Sequence, residues 1–194
     1  MKAVLISIQP KWCELIARGK KTVEVRKTKP KIETPFKVYI YCTKDRKLKI
    51  WTGKRYSYAD DRSHNAFDKC GNGKVIGEFV CNTIFNLDEA SLFAGMTEIN
   101  QSIIEEFSCV NIDDLLQYKG DKSEIYAWDI SNLIIYDKPK ELSKFYRECE
   151  KNECEDCTYL HFENTPNSYE GWCTVDEKMP LKRPPQSWCY VKEV

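Results

Sequence analysis

Lys21, Thr22, Glu24 and Arg26 are the residues of this chain whose types and spacing could do chemistry. They lie in Gly19-Lys20-Lys21-Thr22-Val23-Glu24-Val25-Arg26. Val23 and Val25 alternate with Thr22, Glu24 and Arg26, which predicts a strand with one apolar face and one polar, outward face. An acceptor and a donor two residues apart on such a face can form an ordinary surface ion pair. They can also read a group that both donates and accepts hydrogen bonds, such as a base edge. Lys20, Lys21 and Arg26 would supply charge for phosphates, and Trp12, Trp51, Tyr56 or Tyr58 could stack on an unpaired base. For Trp12 a place in the core is the competing reading.

The elements that must position this strand are legible around it. Met1 to Ile8 reads as a first strand. Pro10 suits the first turn of a helix, where its missing N–H would be unpaired anyway. Trp12, Leu15 and Ile16 share one helical face, and Gly19 suits a left-handed closing residue. Phe36 to Cys42 is dense in aromatic and β-branched residues and predicts a buried strand. Lys44 to Lys74 is a long polar connection that contains His64. Val75 to Cys81 is a further strand. Asp88 to about Gly120 predicts two or three short helices, with Ile103, Ile104 and Phe107 on one face and Leu115 and Leu116 on another. Ile125–Ile130 and Leu133–Tyr136 read as strands, Glu141–Glu150 as a short helix, and Trp188–Val191 as a closing strand. Gly71-Asn72-Gly73-Lys74 precedes a strand and is a turn, not a phosphate loop, which needs its lysine at a helix start.

The segment Gly19 to Arg26, following a strand and a helix, resembles the ASCH family, a branch of the PUA-like β-barrels. Val75-Ile76-Gly77-Glu78-Phe79 and Tyr136-Asp137-Lys138-Pro139-Lys140 resemble its later strands and turn. The resemblance implies an α+β fold: a small PUA-like (ASCH) mixed β-barrel with peripheral helices and a Cys-rich C-terminal elaboration. The resemblance covers the barrel, residues 1–142, with a helical insert at about 88–120; residues 143–194 read from their own composition as a Cys-rich segment that ends in a strand packed on the barrel. It further implies a cleft that holds RNA, another single-stranded nucleic acid or a nucleoside, with Lys20, Lys21, Thr22, Glu24, Arg26 and Trp12 as binding residues. Some ASCH-like proteins are amidohydrolases that remove an acyl group from a modified cytidine, and others resemble ribonucleases. For an enzyme, Lys21 and Glu24 are the catalytic candidates. The amidohydrolases carry a threonine three residues after the lysine, where this chain has Glu24. Their later glutamate would fall near Glu98. The tail from Arg183 to Tyr190 resembles tails of longer phage and bacterial ASCH-like proteins, though a proline-set turn into an edge strand also accounts for it. A third reading, a phage-type protein-interaction module, rests on the acidic C-terminal two-thirds as a charge-steered surface.

Of the ten cysteines, seven fall into two groups; Cys70 and Cys109 are scattered and Cys189 lies near the end. Cys13, Cys42 and Cys81 fall in apolar helix or strand contexts, where cysteine packs as a small hydrophobe. Cys149, Cys154, Cys157 and Cys173 fall in a polar stretch with little to bury, and Cys154-x-x-Cys157 has the spacing of two thiolates on one metal. The expectation is a structural zinc on these four, with Cys189 or His161 as substitutes. Four thiolates leave no open position for catalysis.

At 194 residues, 31% charged and 42% apolar, the chain is long and apolar enough for a sizeable core. No apolar run approaches the ~20 residues of a membrane span, and the short apolar start is no signal-peptide core. A cytoplasmic protein without a membrane partner is expected, its oligomeric state left open. The zero net charge hides 16 Lys/Arg against 5 Asp/Glu in residues 1–60 and 14 against 25 in 61–194. Either the first part meets an anionic partner, or the halves attract each other.

Overall fold

A computed structural model describes residues 1–45, 48–50, 56–58, 70–88, 98–147 and 179–194. Strand β1 (Lys2–Ile8) leads into helix α1 (Pro10–Ala17), with Pro10 in its first turn. The helix closes at Gly19, whose φ of 68° favours a residue without Cβ. The motif strand β2 (Val23–Arg26) follows, then β3 (Phe36–Cys42), which coincides with the predicted strand. The short strands β4 (Leu48–Ile50) and β5 (Tyr56–Tyr58) pair with each other. Strands β6 (Val75–Cys81) and β7 (Ile84–Asp88) precede the helices α2 (Glu98–Ser108) and α3 (Ile112–Lys119). Strand β8 (Glu124–Asp129) runs almost directly into β9 (Ser131–Lys140). Strands β10 (Tyr146–Arg147), β11 (Met179–Pro180) and β12 (Trp188–Lys192) complete the order.

Two sheets carry the architecture. The larger has the order β12-β1-β3-β6-β9 and the smaller β2-β8-β7. Only β1 and β3 run parallel within them, which suits the helix-containing crossover between them. The chain changes sheet at Ile130, between β8 and β9, beside Asn132 in the left-handed region at φ 50°. The fold is α+β, strand-rich with peripheral helices.

The core between the sheets holds Val4, Ile6, Ile16, Val38, Ile40, Phe79 and Trp128, with Cys13, Cys42 and Cys81 packed as expected. Trp128 meets Phe36 edge-on at 5.9 Å between ring centroids. A second cluster on the outer face of the larger sheet gathers Leu5, Tyr39, Val75, Phe145, Leu181, Cys189 and Val191. Gly77 on β6 lets β9 approach, since a Cβ there would lie 2.4 Å from the backbone oxygen of Ile134.

The structure departs from sequence expectation at four places. Strand β7 was not expected; it covers one edge of β8, and its five residues Ile84–Asp88 carry no clean apolar–polar alternation to stand out beside the helices. Ile104 packs against the third apolar cluster, but Ile103 and Phe107 are exposed, because α2 shows only a narrow stripe to β2. In place of a helix from Glu141, one 3-10 turn (Leu142–Lys144) delivers Phe145 against Tyr39, and β10 follows. The polar side of β2 faces inward: Lys21, Glu24 and Arg26 are 3%, 5% and 8% exposed. Both faces of this strand are covered, one by the apolar cluster of Val25 and Leu115 and the other by β1 and α1, so alternation here separates two interiors.

Candidate nucleobase cavity

Glu24 lies between two cations. Its carboxylate is 2.9 Å from the Arg26 guanidinium and 3.4 Å from the Lys21 ammonium. Arg26 also donates to the Ser7 carbonyl at 2.7 Å, which ties β2 to β1 in the other sheet. Lys21 donates to the Ser108 carbonyl at 2.6 Å, at the end of α2, where a cation complements the helix dipole. The Thr22 N–H donates to Phe107 O, and Thr22 O accepts from Ile130 N. The motif therefore anchors α2 and the sheet-switching corner as well as presenting charge.

These side chains line a cavity of about 550 Å³. Its size falls within the ~300–1,000 Å³ of small-molecule sites. Ser7 and the start of α1 with Lys11 and Trp12 form one wall, and Asp114, Leu115 and Tyr118 of α3 form another. Gln186, from the segment before β12, closes a third side. Asn111 caps α3 by accepting from Asp114 N at 2.7 Å, which fixes the first turn that carries Asp114. Burial pushes the Tyr118 phenol above its ordinary value; the Arg26 guanidinium opposes this and the Glu24 carboxylate adds to it. Lys11 lies 4.3 Å from the Trp12 ring centroid and Lys27 lies 5.0 Å from that of Tyr118, so both aromatic walls carry a cation.

Within Arg26 one donor is left over: its buried Nε has no hydrogen-bond partner among the described residues. A buried unpaired donor costs about 1–3 kcal/mol. The triad sums to one surplus positive charge against the cavity. An acceptor or anion entering here meets an unused donor and that surplus charge.

Of the residues proposed from sequence, the structure gathers Trp12, Lys21, Glu24 and Arg26 around one cavity. Trp12 lines the cavity and also packs on the main core. Lys20 is exposed on the Gly19 turn and Thr22 is half-buried; neither lines the cavity, because Thr22 spends its backbone on α2 and the corner. Glu98 opens α2, with its side chain outside the described residues. Trp51, His64 and the side chains of Tyr56 and Tyr58 also lie outside them. So do the zinc candidates Cys149, Cys154, Cys157 and Cys173 and the substitute His161. Cys189 is a buried free thiol, pushed up to about 11 by burial with the Arg147 guanidinium opposing.

Sequence reasoning missed Tyr118, Asp114 and Gln186. Positions 114, 115 and 118 fall on one helical face, so the signal was present beside Leu115. Gln186 carried none, since only the return of β12 along β1 brings it here.

No helix among the described residues is long and apolar enough to cross a membrane. No curated protein matches the chain. The crystal structure of ASCH from Zymomonas mobilis aligns at 18% identity over 72% of this chain and 73% of that one, with a TM-score of 0.48. A tyrosine-to-phenylalanine variant of that protein gives 18%, 73% and 77%, at 0.49. The family model for the ASCH domain matches residues 6–172, which is most of the chain. The chain belongs to the ASCH domain family.

Proposed function

We propose that this ASCH protein binds single-stranded RNA by holding an unpaired nucleobase in the cavity between α1, α3 and β2. The family is linked in general to nucleic-acid binding. The observation that carries the reading is the near-buried Lys21–Glu24–Arg26 triad lining a 550 Å³ cavity, with an unused donor on Arg26. A base edge offers what such a site lacks: acceptors for Arg26 and an amine for Glu24. Trp12 and Tyr118 supply flat walls for the ring, and such stacking contributes about 1–3 kcal/mol per base. Lys11 and Lys27 supply charge to the flanking phosphates. That term gives affinity without sequence information and weakens with salt.

The hydrolase alternative asks Lys21 to act as a base. Its nitrogen already donates to the Ser108 carbonyl at 2.6 Å and pairs with Glu24 at 3.4 Å, so it is spent on holding the fold together. The geometry thus supports binding better than lysine-centred catalysis. The test is equilibrium binding of a mixed-sequence 12-nucleotide single-stranded RNA across a salt series. Wild type should bind at low salt, and Arg26→Lys, which keeps the charge and loses the fork, should weaken it about tenfold. A wild-type protein that retains no RNA at low salt removes the reading. Turnover of an acylated cytidine or cleavage of RNA that stops in Lys21→Met would move the account to an enzyme.

A further inference from the structure

The segment 183–187 does more than close the first cavity. Its other side faces a second cavity of about 460 Å³, lined by Arg147, Lys182, Arg183, Pro184, Pro185 and Cys189. Ser7 lines the first cavity, and it holds the divider from that side. Its hydroxyl donates to Pro185 O at 2.6 Å and its N–H donates to Ser187 O at 2.8 Å. This short run of backbone, bent at 182–183 and at 186–187, lines one hollow with Pro184 and Pro185 and the other with Gln186, and the consecutive prolines stiffen it by fixing φ.

The second cavity has a different chemistry from the first. Three cationic side chains line it, and no carboxylate stands among the described residues of its lining. None of the three makes an ion pair with another described residue. Arg147 belongs to β10, which pairs with β11, and Lys182 follows two residues after β11. Phe145 and Leu181 beneath them belong to the packed outer cluster, and Leu181 N donates to Phe145 O at 2.8 Å. The charges thus stand on a fixed base although their ends are exposed. The aromatic faces, the Glu24 and Asp114 carboxylates and the unused donor all belong to the first cavity. Among the described residues the polar side chains of the second are three cations and one thiol, a set that suits phosphate better than a base edge.

We infer that the Arg147–Lys182–Arg183 cavity is a second subsite, which takes the backbone phosphates of the same strand whose base enters the first cavity. This rests on the proposed base-binding reading and deepens it: the ligand is an oligonucleotide, not a free nucleoside. The strand crosses the Pro184–Gln186 divider.

The experiment compares two probes on the full chain. One is the mixed-sequence 12-nucleotide RNA; the other is the set of four free ribonucleosides. Replacing Arg147, Lys182 and Arg183 together by Ala should weaken RNA binding at least tenfold at low salt. It should also flatten the slope of log affinity against log salt by about 2, at roughly 0.7 for each phosphate no longer neutralised. Nucleoside affinity should stay unchanged. The double variant Lys182→Ala/Arg183→Ala, which leaves β10 intact, should flatten the slope by about 1.4 on the same basis. An unchanged RNA affinity and slope in a folded variant overturns the second subsite while base binding stands. An equal loss for nucleosides also overturns it, because the cavity would then be serving the base. Failure of wild type to bind either probe brings down the base-binding reading itself.

Discussion

Replacing Glu24 by Gln keeps the shape of the triad and removes its only negative charge. At an effective dielectric of about 20, separations of 2.9 and 3.4 Å correspond to about 6 and 5 kcal/mol of attraction. That total of about 11 kcal/mol is a ceiling. The amide still accepts a hydrogen bond, and the carboxylate no longer has to be stripped of water. Removing one member of a buried ion pair costs about 3–5 kcal/mol in practice, mostly from the charges left uncompensated. Lys21 and Arg26 are almost wholly buried, so this range applies to them. At about 2–4 °C per kcal/mol for a chain of this size, the midpoint of thermal unfolding should fall by roughly 6–20 °C. Glu14→Gln is the internal comparison. It breaks the Arg18–Glu14 pair, where the arginine side chain is 52% exposed, and should cost less than about 1 kcal/mol. Urea and thermal unfolding of both variants decide the matter. If Glu24→Gln costs no more than Glu14→Gln, the triad is open to water and the argument from burial is wrong.

Gly77→Ala should destabilise the fold by about 1–3 kcal/mol, because its Cβ would meet backbone of β9, which cannot rotate away; urea unfolding reads this. Trp12→Leu and Tyr118→Leu should each lower affinity for the 12-nucleotide RNA about five- to tenfold with little change in salt slope, since stacking and not charge is removed. Stability should fall as pH rises above 9. The Cys81 thiol is pushed up to about 12 by burial, so the folded state keeps a proton that the unfolded chain releases from pH 9 upward. Its contribution is intact below 9 and is lost progressively toward 12, at up to about 1.4 kcal/mol per pH unit. Cys81→Ala should flatten that part of the alkaline profile in denaturant titrations. Zinc on Cys149, Cys154, Cys157 and Cys173 remains a proposal from sequence. It predicts about one metal per chain by elemental analysis, lost when Cys154 and Cys157 become Ser; a folded, metal-free preparation would retire it.

Strands β1, β3 and β6 were legible because each is a dense apolar run bounded by turn residues, buried on both faces in the finished sheet. Helix α1 announced itself through Pro10 and Gly19. The chemical identity of Lys21, Glu24 and Arg26 was equally plain, but the direction of their face was not. Period-two alternation says that the two sides of a strand differ, and by default polar means outward. Here the polar side turns inward because the ion triad satisfies its own charges against Ser7 O and Ser108 O. Those partners are 19 and 87 residues distant from the groups they accept. No local pattern could supply them. The same holds for Gln186, which reaches the cavity only because β12 returns to pair with β1.

Photo-crosslinking tests the central claim most directly, because it leaves the triad untouched. A 12-nucleotide single-stranded RNA carrying photoreactive bases, irradiated on the wild-type protein at low salt and mapped by mass spectrometry, should label the peptides containing Trp12 and Tyr118. Labelling confined to surfaces away from those two walls, with none at either residue, would contradict a base seated between α1 and α3.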